Sequence, residues 1–198
     1  MACGYCHNPH LISGSPPPEF LSTQEIWEFL TKRRPVLQGV VITGGEPLLH
    51  LDLGAWIDRL REGLGYKIKL DTNGTLPKAL SQMNVDYVAM DLKLPTVLYS
   101  RLGYHRDTSL IGESIQYLRS GAVGHEFRTV WIPGFSKLEN LEPMARELGE
   151  EALLYVAGFR PGKTLDPAFS QFRAPSPSEL EEVVARFQSF GVNARIRG

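Results

Sequence analysis

The sequence predicts an α/β fold in which a parallel sheet, crossed over by helices, curves into an open, partial barrel. Three observations lead there. Short β-branched or apolar runs recur along the chain, and segments with helical spacing lie between them. The long runs number five, where a closed (β/α) barrel takes eight.

Taken in order, the chain begins MACGYCHNPH, with no element before its cysteines, and passes into the proline-rich loop SGSPPPEF at 13–20. In STQEIWEFLTKR, Ile26, Phe29 and Leu30 share one helical face behind an N-capping Ser22 or Thr23. GVVIT (Gly39 to Thr43) reads as the first strand, and LGAWIDRLREGLG as a helix stopped at Gly65. Strands follow at Tyr66 to Thr72, Val85 to Leu92, Glu126 to Ile132 and Ala152 to Phe159. FRPGKTLDP is a rigid loop. SPSELEEVVARFQSFG is a capped amphipathic helix, and the short run VNARIRG closes the last βα unit. The expected organisation is one domain over 1–198, with neither a repeat nor a low-complexity linker.

Composition excludes several classes. Lys plus Arg total 21 against 22 for Asp plus Glu, so a net charge of -1 gives no broad attraction for phosphate backbones and no direct nucleic-acid ligand is expected. No apolar run approaches the roughly 20 residues of a membrane span, and the N-terminus lacks the basic and apolar regions of a secretory signal, which places the expected compartment in the cytoplasm. Two cysteines three positions apart make no disulfide framework; in a reducing compartment such a pair is metal-binding or redox-active.

Three consecutive strands end in polar groups. The first runs into Gly44, Gly45, Glu46 and Pro47, the second into Asp71, Thr72 and Asn73 before Gly74, and the third into Asp91 and Lys93. Each has an ordinary structural reading on its own: a tight turn, an Asx turn, a salt-bridged strand end. Because functional groups of a parallel sheet gather at the C-terminal ends of its strands, three such endings on one rim describe a site for a polar, charged small molecule.

Cys3, Cys6 and His7 admit four readings. CGYCH is literally a haem-attachment string, but neither export nor a haem-enclosing helical fold is indicated. Zinc needs two more ligands, and His10, His50, His105 and His125 are scattered. A thioredoxin-type dithiol follows a strand, whereas only Met1 and Ala2 precede Cys3. An iron–sulfur cluster held by closely spaced thiolates is the reading left.

The ordered series CGYCHNP, TGGEP, LDTNG and MDLK resembles the radical S-adenosylmethionine (SAM) enzymes, within them the group that activates glycyl-radical enzymes. FRTVWIPGF and FRPGKTLDPAF are similar to activating proteins of anaerobic ribonucleoside-triphosphate reductase, and the resemblance spans nearly the whole chain. It implies a partial barrel of the radical SAM type and a [4Fe–4S] cluster with SAM on its open iron. Cys3 and Cys6 match the second and third cysteines of the family pattern C-x3-C-x2-C. The pattern implies a first cysteine two positions upstream of Met1, together with the first barrel strand, hence the expectation of an N-terminally truncated domain lacking that strand and ligand. His7 and His10 are the nearest substitutes.

By the same resemblance, Tyr5 packs near adenine and Asn8 contacts the nucleotide or shields the cluster. Gly44 and Gly45 offer backbone groups to the methionyl amine, with Glu46 bracing their loop. Asp71, Thr72 and Asp91 form a monovalent-cation site beside the SAM carboxylate, and Lys93 contacts SAM. Arg128 and the loop from Phe159 to Lys163 fall where contacts to SAM or to a partner's glycine loop belong. The implied reaction is reductive cleavage of SAM to methionine and a 5′-deoxyadenosyl radical, which abstracts hydrogen from a glycyl-radical enzyme, anaerobic ribonucleotide reductase by the last two motifs. The electron comes from a flavodoxin- or ferredoxin-type reductant. Two other readings stay open: a radical SAM enzyme acting on a small molecule, as 7-carboxy-7-deazaguanine synthase does, and a degenerate, cluster-free binding module.

Overall fold

The computed structural model describes residues 1–13 and 21–197; all but the first residue of the predicted proline-rich loop lies outside them. Among the described residues six strands form one parallel sheet in chain order: β1 (Gly39–Ile42), β2 (Lys67–Thr72), β3 (Tyr87–Asp91), β4 (Gly124–Trp131), β5 (Leu153–Gly158) and β6 (Asn193–Ile196). Among the described residues β1 and β6 each pair on one side only, so the sheet is not closed. The short run VNARIRG is thus a sixth strand, paired in parallel with β5 from Leu153↔Asn193 to Val156↔Ile196.

The helices are α1 (His10–Ser13), α2 (Thr23–Arg33), α3 (Leu53–Asp58), α4 (Pro77–Ser81), α5 (Ser109–Arg119), α6 (Leu141–Leu148) and α7 (Pro177–Ser189). Ser22 and Ser176 each accept from the backbone N–H three residues on, while Glu25 and Glu179 reach back, so both serines close capping boxes. Strand alternation sorts the sheet's two faces. In β2 Ile68, Leu70 and Thr72 are buried, whereas Lys67, Lys69 and Asp71 point the other way. One face therefore joins Ile57, Leu60, Ile111, Ile115, Leu118 and Phe187 of the helical layer in the core, each such side chain contributing about 1.5–3 kcal/mol. The opposite face carries the charges, and the register Asp71↔Ala89 and Asp91↔Arg128 sets them side by side at the C-terminal rim.

Two expectations need correction. In α2, Leu30 is buried and Trp27 packs on the core, but Ile26 and Phe29 are 36% and 52% exposed. The helix is rotated so that Leu30 and Trp27 meet the core, and Tyr66 Oη donates to Leu30 O (2.7 Å). The single helix expected up to Gly65 is α-helical only as α3; Arg59–Gly63 widens to π-helical turns. There Arg59 lies over Trp27 and Trp56, its guanidinium carbon 4.2 and 5.3 Å from the ring centroids.

Candidate active site at the strand ends

At the rim, one cavity is lined by Cys3, Tyr5, Cys6 and Asn8 from the N-terminal loop, by Gly44 and Gly45 after β1, and by Asp71 and Thr72 of β2. Asp91, Lys93 and Arg128 line it as well. Glu46 stands behind this wall. Its buried carboxylate accepts from Leu48 N (3.3 Å), Thr72 Oγ1 (2.8 Å) and Asn73 N (2.7 Å), tying the turn after β1 to the end of β2. Burial pushes its pKa up, against those three donors. Gly44 has φ +151°, and a Cβ there would face open space, so the turn presents bare backbone to the cavity.

The acidic and basic groups are interlocked. Arg128 Nη1 donates to Asp71 Oδ2 (2.9 Å) and its Nε to Asp91 Oδ1 (3.0 Å), while Lys93 Nζ donates to Asp91 Oδ2 (2.8 Å). Burial alone would raise the Asp91 pKa; Lys93 and Arg128 outweigh it and hold the carboxyl below its ordinary range. Burial likewise opposes the charge on Lys93, but Asp91 keeps it protonated well above the usual lysine value. Asp71 Oδ1 is buried with no hydrogen-bond partner among the described residues. Thr72 differs from the other proposed cation ligands: its side chain is on the core face, giving its proton to Glu46 and accepting from Gly74 N (3.2 Å). A cation at Asp71 and Asp91 would share their carboxylates with Arg128.

The cysteine loop is one tight turn closed by Cys6 N donating to Cys3 O (2.9 Å). Both cysteines are free thiols, and burial pushes the Cys3 thiol up. Neither histidine joins them: His7 donates from Nδ1 to Lys163 O (3.3 Å) and stacks on Phe159, and no group of three His, Cys, Asp or Glu among the described residues is placed to hold a metal ion. The loop from Phe159 to Lys163 thus packs on His7 and does not line the cavity. Sequence reading missed Tyr99, whose buried Oη accepts from Lys93 N (3.1 Å); within TVLYSRL it looks like any core aromatic. Asn73 also lines the cavity, and its Oδ1 takes Thr75 N (3.0 Å) in the Asx turn expected there.

Against this geometry, residues 1–148 match the model of the radical SAM superfamily. The chain belongs to the radical SAM superfamily. A protein of Methanocaldococcus jannaschii that carries the name of a glycyl-radical enzyme activating enzyme is 28% identical over 195 residues, covering 92% of this chain and 78% of its own length. A 7-carboxy-7-deazaguanine synthase of Hyperthermus butylicus is 38% identical over 81 residues, but these are only 39% of this chain and 32% of that enzyme. Among solved structures, a domain of pyruvate-formate lyase-activating enzyme from Bacteroides vulgatus superposes with a TM-score of 0.63 at 20% identity, over 81% of this chain and 99% of that one. The open parallel sheet is thereby the radical SAM partial barrel. No described helix is long and apolar enough to cross a membrane.

Cys3 and Cys6 supply two of the three thiolates of the family pattern, and the cavity supplies groups of both charges for SAM. Two free thiols of one turn open onto the same cavity as two cations and a buried carboxylate oxygen with no partner among the described residues, the complement of a zwitterionic amino acid.

Proposed function

We propose that this radical SAM enzyme is an activase: it binds SAM in the rim cavity and installs a glycyl radical on a partner, an anaerobic ribonucleoside-triphosphate reductase. The observation that carries the reading is the convergence of the cysteine loop and three successive strand ends on one cavity. Cys3 and Cys6 would hold two corners of a [4Fe–4S] cluster. When bound, that cluster supplies the electron that splits the SAM sulfonium into methionine and a 5′-deoxyadenosyl radical.

The chain's own residues position SAM. Backbone groups at Gly44 and Gly45 take the methionyl amine, and Asp71 Oδ1 offers that end a further acceptor. Lys93 and Arg128 face the carboxylate, with a monovalent cation at Asp71 and Asp91 as its companion, while the Thr72 hydroxyl stays on Glu46. Tyr5 and Asn8 bound the adenosyl side. The open sheet leaves room for an extended glycine-bearing loop. The named activase relative supports a glycyl-radical enzyme as the partner, and the stretches FRTVWIPGF and FRPGKTLDPAF carry the choice of the reductase among such enzymes.

The second reading, a radical reaction on a small molecule, is favoured by the local similarity to a 7-carboxy-7-deazaguanine synthase. One experiment separates them. Reconstituted protein, a flavodoxin- or ferredoxin-type reductant, SAM and the anaerobic reductase should give the electron paramagnetic resonance signal of a glycyl radical. SAM cleavage with a pterin-like substrate and no protein radical supports the small-molecule reading, and no iron or sulfide uptake at all supports a binding module.

A further inference from the structure

The stretch FRPGKTLDPAF contributes nothing to the lining of the rim cavity, yet it touches the cysteine loop at every residue from Gly4 to His7. Leu165 N donates to Cys6 O (2.9 Å) and Asp166 N to Gly4 O (2.8 Å). Phe169 meets Tyr5 edge to face at 5.8 Å, and His7 stacks on Phe159 at 5.7 Å. We infer that the segment from Phe159 to Phe172 is a clasp that sets the shape of the cysteine loop, with Phe169 and Gly4 as its positioning pair.

A ligand loop of this kind cannot hold its own shape. Between Cys3 and Cys6 the only internal backbone bond is the one that closes the turn, and loops without regular pairing are mobile unless tied down. The clasp supplies the missing partners. Gly4 is what lets it close: a Cβ there would lie 2.6 Å from Phe169 Cε2 and 3.2 Å from Asp166 Cβ, so any side chain would push the two segments apart. Phe169 is itself fixed, with its ring 5.2 Å from both Phe135 and Phe172, and Arg101 covers the far side of that cluster, 5.1 Å from the Phe135 centroid. The turn after β5 and the loop after β4 are thereby joined to the cysteines. Ligating side chains need such support to converge with a fixed spacing.

The purpose of the clasp rests on reading Cys3 and Cys6 as ligands, but its existence does not, and the test is made on the metal-free chain. Reduced protein is alkylated with iodoacetamide, Cys3 and Cys6 are followed separately by mass spectrometry, and amide hydrogen exchange is recorded. In Phe169→Ala, Cys3 should react at least tenfold faster and the Leu165 and Asp166 amides should lose protection, while β3 and β4 keep theirs. Gly4→Ala should do the same. Because removing the ring makes room for the added methyl, the double variant Gly4→Ala/Phe169→Ala should be no worse than Phe169→Ala alone. Wild-type reactivity and protection in Phe169→Ala, additive effects in the double variant, or loss of protection throughout β3 and β4 would each overturn the proposal. If the clasp holds and the reconstituted protein still cleaves no SAM, it is the functional reading that fails.

Discussion

Arg128 Nη1 donates to Asp71 Oδ2 at 2.9 Å, while the other oxygen of that carboxylate is buried with no partner among the described residues. Arg128 thus shares its one positive charge between Asp71 and Asp91, to which its Nε donates at 3.0 Å, while Lys93 Nζ takes the second Asp91 oxygen at 2.8 Å. In Arg128→Ala two part-buried carboxylates lose a shared cation. The side chains keep 15–32% exposure, so the cost falls below that of a fully buried pair, about 2 kcal/mol. Urea unfolding in low and high potassium chloride checks this: the variant should regain part of the loss with salt, and the parent should gain much less.

Glu46 offers a second test. Both its oxygens face donors, Leu48 N and Thr72 Oγ1 on one side and Asn73 N on the other. A glutamine must turn its NH2 toward one of those N–H groups. Glu46→Gln should lose roughly 1–2 kcal/mol, read from the midpoint of denaturant unfolding at neutral pH. It should also raise amide exchange at Asn73.

The strands and their C-terminal rim were legible because β-branched runs and polar strand ends need only local pattern to be read. That α2 and α7 begin with caps was legible for the same reason, and the structure selects Ser22 over Thr23 for the first and Ser176 for the second. What was hidden depends on rotation and long-range contact. Nothing in STQEIWEFLTKR distinguishes the buried Leu30 from the exposed Phe29, since the partners of the inward face, among them Tyr66, 36 residues away, lie far along the chain. Alternation assigns Asp71 to the rim face, yet Thr72 looks equally available until Glu46 is seen to take its hydroxyl proton. Gly4 carries no sign in the sequence of the ring it accommodates.

Acid should weaken the site through Asp91. Its folded pKa is lowered, so the stability it contributes is in place above the ordinary aspartate value of about 3.9 and is lost as pH falls through the folded value. Asp91→Asn should therefore be less stable than the parent at neutral pH, with the gap closing toward acid. Thermal melts from pH 7 down to about pH 2.5, below the ordinary aspartate value, measure it. A gap that widens on acidification would contradict the sign.

The central claim, that the cysteine loop and the strand ends form one SAM site, is tested most directly by product analysis under anaerobic reduction. Reconstituted protein should release 5′-deoxyadenosine and methionine in equal amounts, and Asp71→Ala should cut that release at least tenfold while leaving the cluster absorbance largely intact. No SAM-derived product from the parent protein, or equal release by Asp71→Ala and the parent, would contradict it.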